Sequence, residues 1–233
     1  MHFSVRFYRI AAVCSVVSAV TTLALIFLPE WYAAGEGFES RMARVNDPAY
    51  RLRSWAYLVH PFFTWMAALA IALRIRRSAA ALATVGLAGF SLWALTEAGQ
   101  QAMTLLVFDG WRTAYLAGDE VVRATMPLRT AIYDGLWDGM YFLLLIGFLV
   151  GNVPFSLAMW RGRGLTRVLS VLYAGAAALT LLILVGELKG PTLPETFGFW
   201  LYPAIQPLAR ALIGVWLWKH ADETRMDFGQ PLR

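Results

Sequence analysis

The sequence predicts an all-α integral membrane protein, a bundle of six transmembrane helices. Of its 233 residues 59% are hydrophobic and only 15% are charged, whereas a soluble domain of this length needs more charge to cover its surface. The apolar residues also form six long segments, and a helix needs about 20 such residues to cross the ~30 Å hydrocarbon core of a bilayer. The chain is therefore predicted to form a single transmembrane domain, 1–233, with the lipid bilayer as its main partner.

The six predicted helices differ in length and in their flanking residues. The first is predicted to be a retained span and not a cleaved signal peptide, because its apolar run from Ile10 to Leu28 is long and an aromatic interface pattern, Pro29 to Tyr32, follows it. The third is longer than one crossing needs, which predicts a tilt or a projection beyond the bilayer. A short interfacial helix is expected within 111–129, where polar and apolar residues mix. The predicted spans are 9–29, 54–74, 78–108, 131–160, 166–187 and 197–219.

The basic residues predict how the bundle is oriented. Eleven Lys and Arg residues lie at the two termini and in the connections 74–77 and 161–167, together with three acids. The other connections carry eight basic residues and eight acids. Short cytoplasmic loops are enriched in Lys and Arg. Both termini are therefore predicted to be cytoplasmic, in a multi-pass protein of the inner (cytoplasmic) membrane.

Several kinds of site are disfavoured by what the sequence lacks. Cys14 is the single cysteine, so no internal disulfide and no cysteine metal cluster can form. His60 and His220 fall about a membrane thickness apart in the predicted topology, which disfavours a haem held by two histidines. There is no Walker loop and no GxGxxG motif, and the net charge of +5 comes from loops that flank the membrane. We therefore expect no cofactor, no metal site and no nucleic-acid partner.

Polar residues inside the predicted spans indicate the candidate site, because ionisable groups in a membrane are costly and usually functional. In the predicted topology all of them fall in the outer half or at the centre of the bilayer, and the inner half is nearly free of charge. This asymmetry predicts a polar cavity that opens to the outside. The candidates for a ligand or proton site are His60, Glu97, Gln101, Asp134, Asp138, Tyr141, Gln206 and Arg210.

The fourth predicted helix has a polar face beside a glycine face. Asp134, Asp138 and Tyr141 are spaced i, i+4 and i+7 and so share one side of the helix. Two GxxxG spacings, 135–139 and 147–151, form a stripe about 100° away that would let a neighbouring helix approach closely. The pattern predicts a helix that packs on one face and lines a cavity with the other. The alternative for Asp134 is a helix N-terminal acid at headgroup level.

Two basic side chains need partners within the membrane. Asp138 and Glu97 are the acids predicted to lie within reach of Arg210, and either pair would serve structure as well as function. His60 lies at the predicted depth of Asp134 and Asp138, so we expect it to share a proton or a ligand with one of them. The alternative is a neutral histidine bonded to a backbone carbonyl that a proline leaves without its helical partner.

Two stretches carry a resemblance to a known family. Val153-Pro154-Phe155 with 160–170 resembles the junction between helices four and five of an uncharacterised bacterial six-helix family, a domain of unknown function. The stretch 202–218 is similar to that family's last helix. The resemblance implies a six-helix membrane fold and no known activity. Members of the family carry an acid in the last helix where this chain has Gln206 to Arg210, so the polar roles differ there.

The sequence leaves three classes of function open. The leading hypothesis is a carrier, sensor or receptor-like protein whose outer cavity binds a small molecule, a lipid or a proton. The second is an intramembrane enzyme for a lipid-like substrate, in which His60 and an acid exchange a proton; the sequence assigns no catalytic residue. The third is a structural or assembly subunit, in which every intramembrane polar group is paired and no cavity exists.

Overall fold

The computed structural model describes residues 4–32, 35, 37–190 and 195–222, and for 195–203 it describes the backbone alone. The described chain is all-α, and no strand occurs in those ranges. Short 3-10 turns follow the first two helices, and a π-helical segment, Thr104–Phe108, follows the fourth. The eight helices are α1 (Val5–Phe27), α2 (Phe38–Ala43), α3 (Pro48–Ile75), α4 (Ala80–Met103), α5 (Asp109–Leu116), α6 (Glu120–Met159), α7 (Leu165–Glu187) and α8 (Glu195–Lys219).

Side-chain caps fix where three of the long helices begin. The Ser4 hydroxyl accepts a hydrogen bond from the N–H of Phe7 at the start of α1. Asp47 accepts from two backbone N–H groups at the start of α3, and Pro48 occupies the first helical position. Asp119 accepts from the N–H of Val122 at the start of α6. These caps satisfy donors that have no partner within their own helix.

Helices α4, the π segment and α5 form one continuous rod, Ala80–Leu116, of 37 residues. It pairs with the 40 residues of α6 through a turn at 117–119. A helix of this length spans about 60 Å, roughly twice the hydrocarbon core. Both helical rods are therefore longer than one crossing of a bilayer needs, and whether they tilt or project beyond it stays a prediction. The interfacial helix expected within 111–129 overlaps the end of α5 and the start of α6, and its position at a membrane interface stays a prediction.

Six helices form a closed ring in the order α1, α3, α4, α6, α7 and α8, with α8 packed against α1. We name its two ends by what they contain. The terminal end holds the start of α1 and the end of α8, and the hairpin end holds the turn between α5 and α6. In this ring α4 and α8 face each other from opposite sides.

The terminal half is filled by a compact apolar core. Ala, Phe, Trp and Leu side chains from all six ring helices meet there. The closest crossing is between α4 and α6, where a methyl group on Gly89 would overlap the backbone of α6. The predicted glycine stripe is thus used at 147–151, whereas Gly135 and Gly139 have no neighbour within 4 Å of an added Cβ.

Five helical segments are long and apolar enough to cross a membrane. These segments, found among the described residues, overlap the first five predicted spans; the third begins at Ala80 and not at 78, and the fourth ends at Met159 and not at 160. Large apolar side chains such as Val20, Leu95 and Leu157 are exposed on their outer surfaces, as expected where the surrounding solvent is lipid. The sixth predicted span, 197–219, coincides with α8, whose side chains at 195–203 are outside the described residues. The five segments are Val5–Trp31, Pro48–Ile75, Ala80–Leu116, Glu120–Met159 and Leu165–Glu187.

Candidate functional site

A cavity of about 570 Å³ lies inside the ring, in its hairpin half. All six ring helices contribute to its wall, so the positions of its side chains depend on the whole bundle. Of the 20 lining residues, eleven are apolar or aromatic and nine are polar or charged. The size of the cavity is typical of small-molecule sites, and its wall is more polar than most. Six of the eight residues predicted from the sequence line the cavity: His60, Glu97, Gln101, Tyr141, Gln206 and Arg210.

Arg210 lies deep in the cavity and bonds to two other ring helices. Its Nη1 donates to Thr22 Oγ1 on α1 and to His60 Nε2 on α3. A guanidinium has donors only, so Nε2 must accept this bond. The remaining ring proton of a neutral imidazole is then on Nδ1, which lies 2.7 Å from Thr21 Oγ1 and donates to it. His60 is therefore a neutral acceptor that orients Arg210.

A second set of hydrogen bonds fixes the helices around Arg210. Ser15 Oγ donates to the backbone carbonyl of Arg210 at 2.7 Å, which joins α1 to α8. Ser18 Oγ lies 2.6 Å from Thr64 Oγ1, which joins α1 to α3. Thr22 Oγ1 donates to the carbonyl of Ser18 at 2.7 Å, leaving its lone pair to accept from Arg210. The arginine is held on a polar seam between three helices.

Glu97 occupies the opposite wall, on α4. Its side chain is buried, with 6% of the residue exposed, and it forms no hydrogen bond or ion pair with any residue for which the structure gives side chains. It interacts with Arg210 electrostatically across the cavity, yet the two groups are not within ion-pair distance. A buried carboxyl group without a direct partner is costly to ionise, and a cation brought by a ligand would offset that cost. Glu97 is therefore the strongest single indication of a ligand.

The π segment that follows Glu97 places the last turn of α4 at the mouth of the cavity. The N–H of Thr104 is shared between the carbonyls of Gln100 and Gln101. Gln100 Nε2 donates to the carbonyl of Trp137 at 3.1 Å, which ties α4 to α6. Single π-helical turns inside α-helices occur frequently at functional sites. Here the π segment follows three polar lining residues of α4: Glu97, Gln100 and Gln101.

Four aromatic side chains contribute to the remaining wall. Trp93 lies one helical turn from Glu97, and its ring is 5.8 Å from the Arg210 Cζ and edge-on to His60. At the mouth, Arg53 Nε donates to the carbonyl of Leu25 at 3.0 Å. The sequence analysis missed these lining residues, although several are one helical turn from a candidate. The charged and aromatic residues missed are Arg53, Tyr57, Trp93, Trp137 and Phe148, whereas Gln100 stood out in the sequence as a polar residue within the third span.

Two predicted residues, Asp134 and Asp138, do not line the cavity. Asp134 forms an ion pair with Arg41 of α2, with Nη1 and Oδ2 2.9 Å apart, and this hydrogen bond raises the pKa of the Arg41 guanidinium. Asp138 is exposed on the outside of the bundle. It follows Trp137 by one residue and so points about 100° away from that cavity-lining side chain. Of the three residues predicted to share this face of α6, only Tyr141 lines the cavity.

The predicted partners of the two basic residues differ from the observed ones. Arg210 forms no ion pair with Asp138 or Glu97, and it bonds instead to Thr22 and His60. His60 contacts neither Asp134 nor Asp138. It is neutral, as the alternative proposed, but its partners are side chains and not a freed carbonyl. The reason is that α1, a helix without any charged residue between Arg9 and Glu30, supplies hydroxyls at that depth.

A separate ion cluster lies at the hairpin end, and within it only the Arg112 Nε is buried without a hydrogen-bond partner among the described residues. Arg112 Nη1 lies 3.0 Å from Asp109 Oδ1 and donates to the Tyr50 hydroxyl at 2.7 Å. Tyr50 in turn donates to Asp109 at 3.1 Å. The three side chains are buried and fix α3 against α5. Across the described parts of the chain, no three His, Cys, Asp or Glu side chains lie close enough to hold a metal ion.

The chain matches no protein-family model, no curated protein and no solved structure. The resemblance of 153–170 and 202–218 to the six-helix family thus stays a prediction.

Proposed function

We propose that the chain is a six-span protein of the inner membrane with cytoplasmic termini, and that its cavity binds a small molecule from the outer side. Helix α8 would be the sixth span, since its 25 residues reach about 37 Å and it completes the ring. The excess of basic residues in the short loops of the terminal end supports the orientation. The hairpin end, and with it the cavity, then faces outward.

Glu97 is the observation that carries the proposal. A purely structural role would place it in direct contact with a cation, because an unpaired charge in a membrane is costly. The closest candidate cation, Arg210, is instead held away from it by Thr22 and His60. A cavity of about 570 Å³ separates the two walls. Two opposite charges kept apart around such a space favour a ligand over a structural pair.

The other two classes of function fit the geometry less well. An enzyme based on a histidine and an acid needs the two within hydrogen-bond reach of one substrate atom, whereas both nitrogens of His60 are engaged by Thr21 and Arg210. A structural subunit needs paired charges and no cavity. Among ligand-binding proteins, a sensor or receptor fits this conformation better than a carrier. Beyond Gln206 and Arg210 the space narrows to a chamber of about 40 Å³.

Cysteine labelling tests whether the cavity is open to the outside. In a Cys14→Ser background, Ile183→Cys places a thiol in the cavity wall and Leu182→Cys places one on the outer face of the same helix. Only a thiol in contact with water forms the reactive thiolate. We expect a membrane-impermeant thiol reagent added outside intact cells to label Ile183→Cys and not Leu182→Cys. Ala43→Cys and Ser78→Cys are the controls for the outer and inner loops.

Two results would contradict the proposal. If Ile183→Cys stays unlabelled while Ala43→Cys reacts, the cavity is closed to the outside. If Ser78→Cys reacts and Ala43→Cys does not, the orientation is reversed.

A further inference from the structure

Arg53 lines the mouth of the cavity, and the other two ionisable lining residues with a formal charge, Glu97 and Arg210, lie on opposite helices and at different depths. Glu97 is on α4 and Arg210 is on α8, which face each other across the ring. The Arg210 guanidinium is near Trp93, which precedes Glu97 by one helical turn, about 6 Å along the axis. Arg210 is therefore deeper in the cavity than Glu97.

This arrangement discriminates between ligand charges. An anion alone would be attracted to Arg210 but would leave Glu97 buried and unpaired. A cation alone would be attracted to Glu97 but would be repelled by the positively charged guanidinium of Arg210. A ligand with both charges can pair its negative group with Arg210 and its positive group with Glu97. In a site of low dielectric each charge-assisted hydrogen bond is stronger than in water.

The rest of the wall indicates the uncharged part of the ligand. Trp137 and Tyr141 lie on α6, and Phe148 lies further down the same face. Tyr57 on α3 and Trp93 on α4 complete an aromatic lining. Aromatic faces bind apolar groups, and they also attract an ammonium group. The space is sufficient for a molecule of amino-acid size and is within the range of small-molecule pockets.

The geometry points to a small zwitterion as the ligand: an amino-carboxylate with an apolar body, whose carboxylate faces Arg210 and whose ammonium faces Glu97. This inference rests on the proposed function, since it requires a cavity that ligands can enter. It goes beyond that proposal by naming the ligand's chemical class and its direction in the site. The apolar body lies against the aromatic side chains of α6.

Two matched sets of compounds test the inference. Phenylalanine, phenethylamine and 3-phenylpropionate share one body and carry both charges, the positive charge alone and the negative charge alone. Tryptophan, tryptamine and indole-3-propionate repeat the comparison with a larger body. The measurement is the concentration of each compound that halves the rate of labelling of Ile183→Cys in the purified protein in nanodiscs. We expect the zwitterion of at least one set to act at a concentration about tenfold lower than either partner, since each 1.4 kcal/mol is a factor of ten.

A variant without the charge of Glu97 tests whether this residue binds the ammonium group of the ligand. Glu97→Gln should raise the half-protecting concentration of phenylalanine and phenethylamine about tenfold and leave that of 3-phenylpropionate unchanged. Asp138→Asn is the matched control, because it neutralises an exposed acid outside the cavity and should change none of the three. If Glu97→Gln does not fold, the comparison of the compounds on the protein with Glu97 intact still tests the inference.

The outcomes separate this inference from the proposed function. An amine or an acid that protects as well as the zwitterion in both sets would overturn the zwitterion and leave a cation or anion site. A reactive Ile183→Cys that none of the six compounds protects would also overturn it and leave the open cavity intact. An Ile183→Cys that never reacts would overturn the proposed function itself.

Discussion

The two halves of the bundle are built from the same six helices but are held together differently. In the terminal half, small residues let α4 and α6 meet backbone to backbone, and apolar side chains fill the centre. In the hairpin half the centre is open, and hydroxyl, imidazole and guanidinium groups join α1, α3 and α8 along one side of the opening. Close packing makes the first half rigid. The rigid terminal half therefore holds the helices of the hairpin half apart, which leaves room for a ligand between them.

The largest expected effect is at the closest crossing of the terminal half. Gly89→Ala would place a methyl group against the backbone of Val150 and Gly151, which cannot move without separating α4 from α6. We expect it to lower the free energy of unfolding by about 3 kcal/mol. Unfolding in mixed detergent micelles, followed by circular dichroism, measures this.

The matched control for Gly89→Ala is Gly139→Ala. Nothing lies within 4 Å of an added Cβ there, so the change should be neutral or stabilise by up to about 1 kcal/mol through helix propensity. Equal effects at the two positions would show that the crossing of α4 and α6 does not hold the terminal half together.

The second expected effect concerns the polar seam of the hairpin half. Because His60 accepts a bond from Arg210, His60→Leu and Arg210→Gln should be coupled. The double variant should lose about 1–3 kcal/mol less than the sum of the two single losses. The same micelle unfolding assay provides the four values of the cycle.

A second cycle sharpens the first. Arg210→Gln combined with Asp138→Asn should be additive to within about 0.5 kcal/mol, because Asp138 is exposed outside the cavity. Strong coupling in this cycle, with additivity in the His60 cycle, would show that Arg210 pairs with Asp138, as the sequence suggested.

The smallest expected effect is at the ion pair between Arg41 and Asp134. Their side chains are 33% and 45% exposed, so water and salt screen the attraction. Asp134→Asn should lower the free energy of unfolding by less than about 1 kcal/mol. Asp109→Asn, in the buried cluster with Arg112 and Tyr50, should have a clearly larger effect. The reverse order would mean that α2 and not α5 stabilises the hairpin end.

The fold class could be predicted from the sequence because long apolar segments have few alternatives in a bilayer. The extension of α4 into α5 was not predicted, since Thr104–Phe108 gives no signal for a π turn. The mixed residues of 111–129 look interfacial until they are seen to pair as the ends of two long helices. Their apolar members, such as Val122 and Met126, are covered by Phe108 and Tyr133 instead of by lipid.

The sequence indicated those lining residues that stand out by their depth in a span. It misplaced those whose position depends on the direction in which their helix faces. Glu97, Gln206 and Arg210 were found because any ionisable or amide group at that depth stands out. Asp138 was misplaced because spacing gives the angle between side chains on one helix and not the direction in which the helix faces. The hydroxyls of α1 carried no signal, since serine and threonine are common in membrane helices and often bond to their own backbone.

The most direct test of the central claim is an experimental density map of the protein in nanodiscs with phenylalanine present. We predict density for the ligand between α4 and α8, with its carboxylate in hydrogen-bond contact with Arg210, its ammonium in contact with Glu97, and its ring against Trp137 and Tyr141. A map in which the Glu97 carboxylate meets the Arg210 guanidinium directly, with no space between them, would contradict the account.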